Sequence, residues 1–499
     1  MKKTLYLTCA LMFSITISFA QSGIIWNAEK NLAPSASGND HPRMVLSRSG
    51  SPMAVWNHDS RCMFSRWNGT GFTSPVMLNP VGIDVAGADW MGPDIAAHGD
   101  TVYVVFKQTP ENSADAHVYC LHSYDAGVTF SAPVRVENIK DSLSRFPTVG
   151  TDDAGHPIVG FMKFDANFSD SRWAVARSND FGLTFETDLK ASGWSDTDAL
   201  ICDCCPGAVT CSGNTVAMLY RDNNSNLRDT WAGISTDNGN SFTYGLNIDQ
   251  QNWQIFACPS TGPDGVILGD TMYSTFMNGA SGKSLVYYNK TAVTAQNGSA
   301  GIPLTGLFPG LTQQNFPRIA GEGNALAIAW VQTVSGAKQC ALRFTNKKAQ
   351  GFPAAYDTIA LANAVNCDVA VGDGKIFVVW QDGGTGTIKY RSGVFTNTSA
   401  TLELAKNNAL SIFPNPTNGS VQIESDAVMD RVVVVDMLGR VVYVAMPGAR
   451  RVELMLGAHI GSQTLTSVVG SQTLTSVYFV TVWVGEKLAV RKLVVSGVR

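Results

Sequence analysis

From about residue 40 onward, short apolar runs alternate with clusters of Gly, Asp and Asn, and the alternation recurs along most of the chain. Each unit opens with an apolar run beside a proline or its equivalent. These openings are His41-Pro42, Gly92-Pro93, Phe146-Pro147, Cys205-Pro206, Cys258-Pro259, Phe316-Pro317 and Asn366-Cys367. A turn follows, then a second apolar run ending in an aromatic residue: Trp56, Phe106, Phe161, Tyr220, Phe276, Trp330 and Trp380. Short runs bounded by turn formers predict strands rather than helices. A period of roughly 50 to 60 residues is that of a radial repeat. A sheet that cannot bury both faces alone must stack on its neighbours, and closing the stack into a wheel also protects the strand edges.

Three units carry a sharper hairpin signature: Ser123 to Phe130, Ser178 to Phe185 and Ser235 to Phe242. In each, an Asp (Asp125, Asp180, Asp237) precedes a Gly (Gly127, Gly182, Gly239) by two positions, and an aromatic residue closes the segment. The carboxylate can accept bonds from turn amides and hydroxyls, Gly can take positive φ, and the aromatic can pack between sheets. A degraded copy runs from Ser65 to Phe72 with Trp67 in the Asp position. The segments resemble the Asp box, S-x-D-x-G-x-T-F, of the sialidase-like β-propeller superfamily. The resemblance spans residues 25–400 and implies an all-β propeller. Seven strand pairs favour seven blades, although the family pattern has six. The box identifies fold rather than reaction, because the architecture serves sialidases, other glycan enzymes and pure binding proteins.

After about residue 405 the repeat stops, and Phe413-Pro414-Asn415-Pro416-Thr417-Asn418-Gly419 opens a different pattern. Apolar runs at Val421–Ile423, Val432–Val435, Tyr478–Val484 and Leu488–Val495 predict a small C-terminal β-sandwich over residues 408–499. The P-N-P-x-x-G opening, the Asp436-Met437-Leu438-Gly439-Arg440 turn and the final K-L-V-V run resemble the sorting domain of type IX secretion substrates. That resemblance implies outer-membrane type IX machinery as a partner. One departure is a tandem GSQTLTSV, at Gly461–Val468 and Gly470–Val477, which reads as a tolerated loop extension.

Composition adds a compartment. Lys2 and Lys3 precede an apolar stretch from Leu5 to Ile17, and Ser18-Phe19-Ala20 offers small residues for cleavage. Residues 1–20 therefore read as a Sec signal peptide, and no later run is long enough for a transmembrane helix. A net charge of −4 excludes a strong nucleic-acid footprint. Of 10 cysteines, the signal would remove Cys9, and export makes disulfides the default for the rest.

Alternation of strands assigns two faces to the wheel. If the Asp-box turns lie below, the loops after each second strand and before each first strand lie above. The upper loops of the fourth and fifth units hold Cys202-Asp203-Cys204-Cys205-Pro206, Arg221-Asp222, Arg228-Asp229, Trp253 and Cys258. Together they resemble a bacterial subgroup of sialidase-like proteins. Arg221, Asp222, Arg228, Asp229 and Trp253 are candidate ligand contacts, since Arg presents a fork for carboxylates and Trp a stacking face for a sugar. Cys202, Cys204, Cys205, Cys211 and Cys258 read as disulfide candidates. A soft-metal site competes with that reading, but C-x-C-C lacks the usual paired arms and no histidine lies nearby, so no metal and no cofactor are expected. A sialidase, by resemblance, needs three arginines, an Asp acid/base and a Tyr nucleophile with a Glu. Arg43, Arg145, Arg221, Arg228, Arg318 and Arg391 are available, with Tyr390 beside Arg391, but no Glu accompanies it. The expectation is a secreted or surface propeller binding a glycan or glycoprotein at its upper rim. The alternatives are an exo-acting sialidase-type hydrolase and a structural surface protein contacting partner proteins.

Overall fold

The computed structural model describes residues 23–33, 37–137, 142–197, 199–396, 410–418, 420–436, 441–455, 474–484 and 487–497. The expected signal peptide, turn residues 437–440 and Gly461–Val468 lie outside the described residues, as do 470–473 of the second copy. Nearly all regular structure is strand, with a single 3-10 turn at Lys348–Gln350 among the described residues. The chain divides into two compact units at residues 397 and 398.

In the first unit, seven antiparallel meanders follow one another. Their inner strands are Asn39–Leu46, Asp94–His98, Ser142–Thr151, Ala208–Ser212, Asp264–Leu268, Leu311–Glu322 and Ala364–Gly372. Each inner strand touches the next, and the seventh touches the first, so the sheets close into a wheel of seven blades. The closure is staggered along the chain. The outer strand of blade seven is Ile24–Trp26, paired antiparallel with Thr387–Phe395 in the register Ile24 to Phe395 and Trp26 to Gly393. The start of the repeat thus completes the last sheet, which leaves the ring no free seam.

The period that marked each second strand has a packing reason. Trp56, Phe106, Phe161, Tyr220, Phe276, Trp330 and Trp380 are all buried, each in a cluster shared with the preceding blade. Burying such a ring contributes about 2–3 kcal/mol, which is why an aromatic recurs at that position. Aspartates add inter-blade ties at the axis. Asp94 accepts from the Val149 amide at 3.1 Å, Asp264 from Ile319 at 2.8 Å and Asp368 from Met44 at 2.8 Å. Each therefore fastens its own inner strand to that of the next blade.

The X-Pro openings act as bulges. Pairing shifts register between Asp40 and Arg43, Arg145 and Thr148, and Asn315 and Arg318, with His41, Phe146 and Phe316 at φ of 51°, 49° and 47°. The fifth opening is corrected by the structure. Cys258-Pro259 lies in a loop ahead of the strand, and Gly262-Pro263 takes the axial position instead. A Cβ on Gly262 would stand 2.1 Å from the Pro206 carbonyl, so the close approach of blades four and five requires glycine.

The three Ser-x-Asp-x-Gly segments form one turn three times, between third and fourth strands. The Ser123, Ser178 and Ser235 hydroxyls donate to the Asp at 2.7, 2.7 and 2.6 Å and accept from the Gly amide at 2.9, 2.8 and 2.9 Å. Thr129, Thr184 and Ser241 each donate through both amide and hydroxyl to the same carboxylate. Gly127, Gly182 and Gly239 take φ of 75°, 89° and 79°. In the degraded copy Trp67 packs on Phe72 and Tyr390 at 5.6 and 6.3 Å, replacing the polar tie with ring contacts.

The second unit holds a three-stranded sheet, Leu410–Phe413, Ser420–Met429 and Ala449–Met455, and a four-stranded sheet built on Arg431–Asp436 and Leu474–Val484. Val421, Ile423 and Leu454 of the first share one buried cluster with Val432, Val434, Val480 and Leu493 of the second, the packing of a β-sandwich.

Candidate functional site

The second strand of blade four, Thr215–Asn223, ends in Arg221 and Asp222, and the third, Thr230–Ser235, begins just after Arg228 and Asp229. The loop that leads to blade five folds back and brings Trp253 against them. The Arg228 amide donates to the Trp253 carbonyl at 2.9 Å, and the Trp253 amide to Asp229 at 3.2 Å. The Arg221 guanidinium lies over the Trp253 ring at 5.2 Å. All five sequence candidates therefore meet, on one sector of the wheel.

They meet as core. Arg221 is 0% exposed, Asp222 1%, Arg228 7%, Asp229 2% and Trp253 9%. The Trp253 ring covers Gly279, where a Cβ would fall 2.7 Å from it. Arg221 donates to the Arg228 and Met277 carbonyls, the Ser195 hydroxyl donates to Asp222, and Asn247 donates to Asp229 at 3.1 Å. Burial pushes Asp222 up to about 7, and it pushes the neighbouring Asp249 up to the same range. The expected open fork and stacking face are thus turned inward, because the blade-five loop closes over them.

The cysteines divide. Cys211 sits on the inner strand of blade four near Gly150, away from the others. Cys202, Cys204 and Cys205 crowd together, with sulfurs 3.5 Å (Cys202 to Cys204), 3.2 Å (Cys202 to Cys205) and 3.9 Å (Cys204 to Cys205) apart. Cys258, Asp203 and Cys204 also bring their ligand atoms within 4.8 Å of one another. The nine described cysteine sulfurs are unbonded in this structure.

The upper end of the axis is built from the X-Pro bulges. His41, Arg43, Trp90, Phe146, Arg318 and Asn366 line a mouth enclosing about 40 Å³. That is room for about three waters at the ~10–15 Å³ one water requires, and too little for a sugar ring. Below it a channel of about 460 Å³ widens toward the Asp-box face, past Ser47, Arg48, Glu322 and Asp373. Two arginines, not three, reach the mouth. Arg318 is held by Asp368 at 3.1 Å and Asp264 at 3.3 Å. Arg43 donates to the Pro42 carbonyl at 2.7 Å and to Asn366 at 3.0 Å, while burial and the adjacent Arg318 pull it down to about 10. Arg145 pairs with Glu111 at 3.2 Å, and Arg391 lies over Trp26 at 5.4 Å. Tyr390, the candidate nucleophile beside Arg391, is 4% exposed and packed on Phe72 at 4.9 Å.

Sequence reasoning passed over the rim where blades one and two meet that mouth. Asp40 is half-buried, and burial, reinforced by the nearby Asp89 and Asp59, pushes it up to about 7 against the hydrogen bond from Asn57. Asp40 Oδ1, Asn57 Oδ1 and His41 Nδ1 are buried without partners. Burial and then the charges of Arg43 and Arg318 hold His41 well below its ordinary value, hence neutral. Trp90, partly exposed, lines the mouth with His41 and packs on the cluster that blades three and four share, following the exposed Asp89. The available signal was local: the first X-Pro opening alone reads Asp40-His41-Pro42-Arg43, polar where the others are mostly apolar.

The fold defines an all-β protein with a propeller and an appended export domain. Residues 411–496 match the family of secretion system C-terminal sorting domains. The chain is accordingly directed by type IX secretion to the cell surface or the medium, and no helix among the described residues is long and apolar enough to cross a membrane. No curated protein matches the chain. Among solved structures, a protein of unknown function from Dyadobacter fermentans is similar at 11% identity, over 75% of this chain and 100% of its own, with a TM-score of 0.44. An α-L-arabinofuranosidase from Fusarium graminearum is similar at 11%, over 75% and 98%, with a TM-score of 0.40. PorZ, a surface component of the type IX secretion system of Porphyromonas gingivalis, is similar at 13%, over 91% and 59%, with a TM-score of 0.35. At such identities and scores none of them bears on a ligand or reaction for this chain.

Proposed function

We propose that this exported protein is a binding propeller that recognises a glycan or glycoprotein at its upper rim, without hydrolysing it. The observation that carries the reading is Trp90, partly exposed at the mouth and next to the exposed Asp89. An aromatic face next to an exposed polar side chain is the pairing that sugar rings use, stacking on one side and hydrogen bonding on the other. The mouth of about 40 Å³ supports rim contact over engulfment of a terminal sugar. The test is a glycan array probed with the mature full-length chain, repeated with Trp90→Ala. Binding should fall at least tenfold, whereas Trp253→Ala should lower stability and leave the affinity of the folded fraction unchanged. A ligand whose affinity ignores Trp90→Ala overturns the assignment.

One observation favours the runner-up, an exo-acting hydrolase of sialidase type. A carboxyl at about 7, as at Asp40, is protonated near neutrality and suits a general acid. Against it stand the buried Tyr390, the occupied Arg318 and the closed mouth. Release of a fluorescent aglycone from a sialoside, abolished by Asp40→Asn, would establish the hydrolase in place of the binding protein.

A further inference from the structure

We propose that Cys202, Cys204, Cys205 and Cys258 form a thiolate site for a soft cation, Cu⁺ or Zn²⁺, with Arg228 positioned to balance its charge. The argument begins with geometry. Bonds of about 2.3 Å to a tetrahedral zinc place sulfurs about 3.8 Å apart, and Cu⁺ is selected by the same soft ligands. The three sulfurs of the Cys202–Cys205 loop are already 3.2 to 3.9 Å apart, held by a turn in which the Cys205 amide donates to the Cys202 carbonyl. Cys258 arrives from the loop before blade five, close enough to Cys204 for both to share an ion. Cys202 and Cys205 are buried, Cys204 is partly so and Cys258 is exposed, so the site has a floor and an entrance.

Charge separates this reading from disulfide stapling. Arg228 Nη1 donates to Cys202 Sγ at 2.8 Å, and neither Arg228 nor Arg221 makes an ion pair with a carboxylate among the described residues. A buried guanidinium needs a nearby anion. A disulfide sulfur carries no charge and would leave Arg228 buried against a neutral atom. A thiolate supplies the anion, and in an oxidising compartment a bound cation is what protects it. Binding is a ligand exchange with no redox step: each thiol that ligates releases one proton, and the ion exchanges its waters for sulfur. The second arm of the site, Cys258, comes from 53 positions beyond Cys205 and is brought in by the fold.

The experiment uses the mature full-length chain isolated from the extracellular fraction without added metal or reductant. Elemental analysis should find about one copper or zinc per chain, and non-reducing peptide mapping should find the four cysteines unlinked. After anaerobic removal of the metal, Cu⁺ and Zn²⁺ are titrated separately against a chelator. Cys258→Ser and Arg228→Met should weaken uptake of the tighter metal about 10- to 100-fold, with Arg228→Lys recovering part of the loss. Cys211→Ser, on the far strand, should leave stoichiometry unchanged. A mapped disulfide between Cys204 and Cys258 or within the loop overturns the proposal, as does a reduced protein that competes for neither metal.

Discussion

Replacing Asp180 by Ala removes the centre of the second of the three Ser-x-Asp-x-Gly turns, and its cost can be worked from the contacts. The carboxylate accepts from the Ser178 hydroxyl at 2.7 Å, the Thr184 amide at 2.9 Å and the Thr184 hydroxyl at 2.6 Å. At about 1 kcal/mol per bond, the loss is about 3 kcal/mol at neutral pH. Part of that is charge-dependent. Burial works to raise the Asp180 pKa, but the bonds from Thr184 and Ser178 outweigh it and bring the carboxyl down to about 2. A depression of about 2 units below the ordinary ~3.9 corresponds to roughly 2.6 kcal/mol, halved to about 1.3 for solvent screening at a partly exposed turn. The folded pKa is depressed, so this stabilisation is present above the unfolded value near 4 and is lost as pH falls toward 2. Urea unfolding of the mature chain, followed by tryptophan fluorescence, should therefore show Asp180→Ala about 3 kcal/mol less stable at pH 7. The gap should close by about 1.3 kcal/mol at pH 2. A gap below about 0.5 kcal/mol at pH 7, or one that does not narrow in acid, would refute the view that the box is an energetic tie.

Three further substitutions probe the wheel. Gly127→Ala places a Cβ 2.4 Å from the Phe64 ring at a φ of 75°, and should cost about 3 kcal/mol in a denaturation series; a neutral result would mean the turn is not packed on blade one. Asp368→Asn weakens both the Arg318 pair and the tie to the Met44 amide between blades seven and one, with about 3 kcal/mol expected and the largest rise in hydrogen exchange at Met44. Ile24→Ala empties a side chain that is 1% exposed in the closing strand, and should cost about 3 kcal/mol while speeding exchange along Thr387–Phe395. Were the seam not the weak point, that exchange would stay at the wild-type rate.

Much of the architecture was legible because its causes are local or periodic. The Asp-box turns need only a Ser, an Asp, a Gly and a hydroxyl within seven residues, and the contacts at Asp125, Asp180 and Asp237 recur almost atom for atom. The aromatic at the end of each second strand marks a blade interface wherever it occurs, so Trp56 to Trp380 could be read as a period before any packing was known. The one slip, among the X-Pro openings, was Cys258-Pro259 for Gly262-Pro263, because periodicity cannot align a loop that runs on ahead of its strand.

Adjacency in the upper loops was also correctly read, since Arg221, Asp222, Arg228, Asp229 and Trp253 do converge. Their burial was not, and neither was the placing of Trp90 at the mouth. Residue type and spacing decide which side chains can meet, because those follow from strand direction and repeat length. Whether they face solvent depends on what other blades lay over them. Trp253 is sealed by the backbone around Gly279, and the space in the mouth is set by seven inner strands at once. Exposure is a sum over neighbours distant in sequence, and only the closed wheel performs that sum.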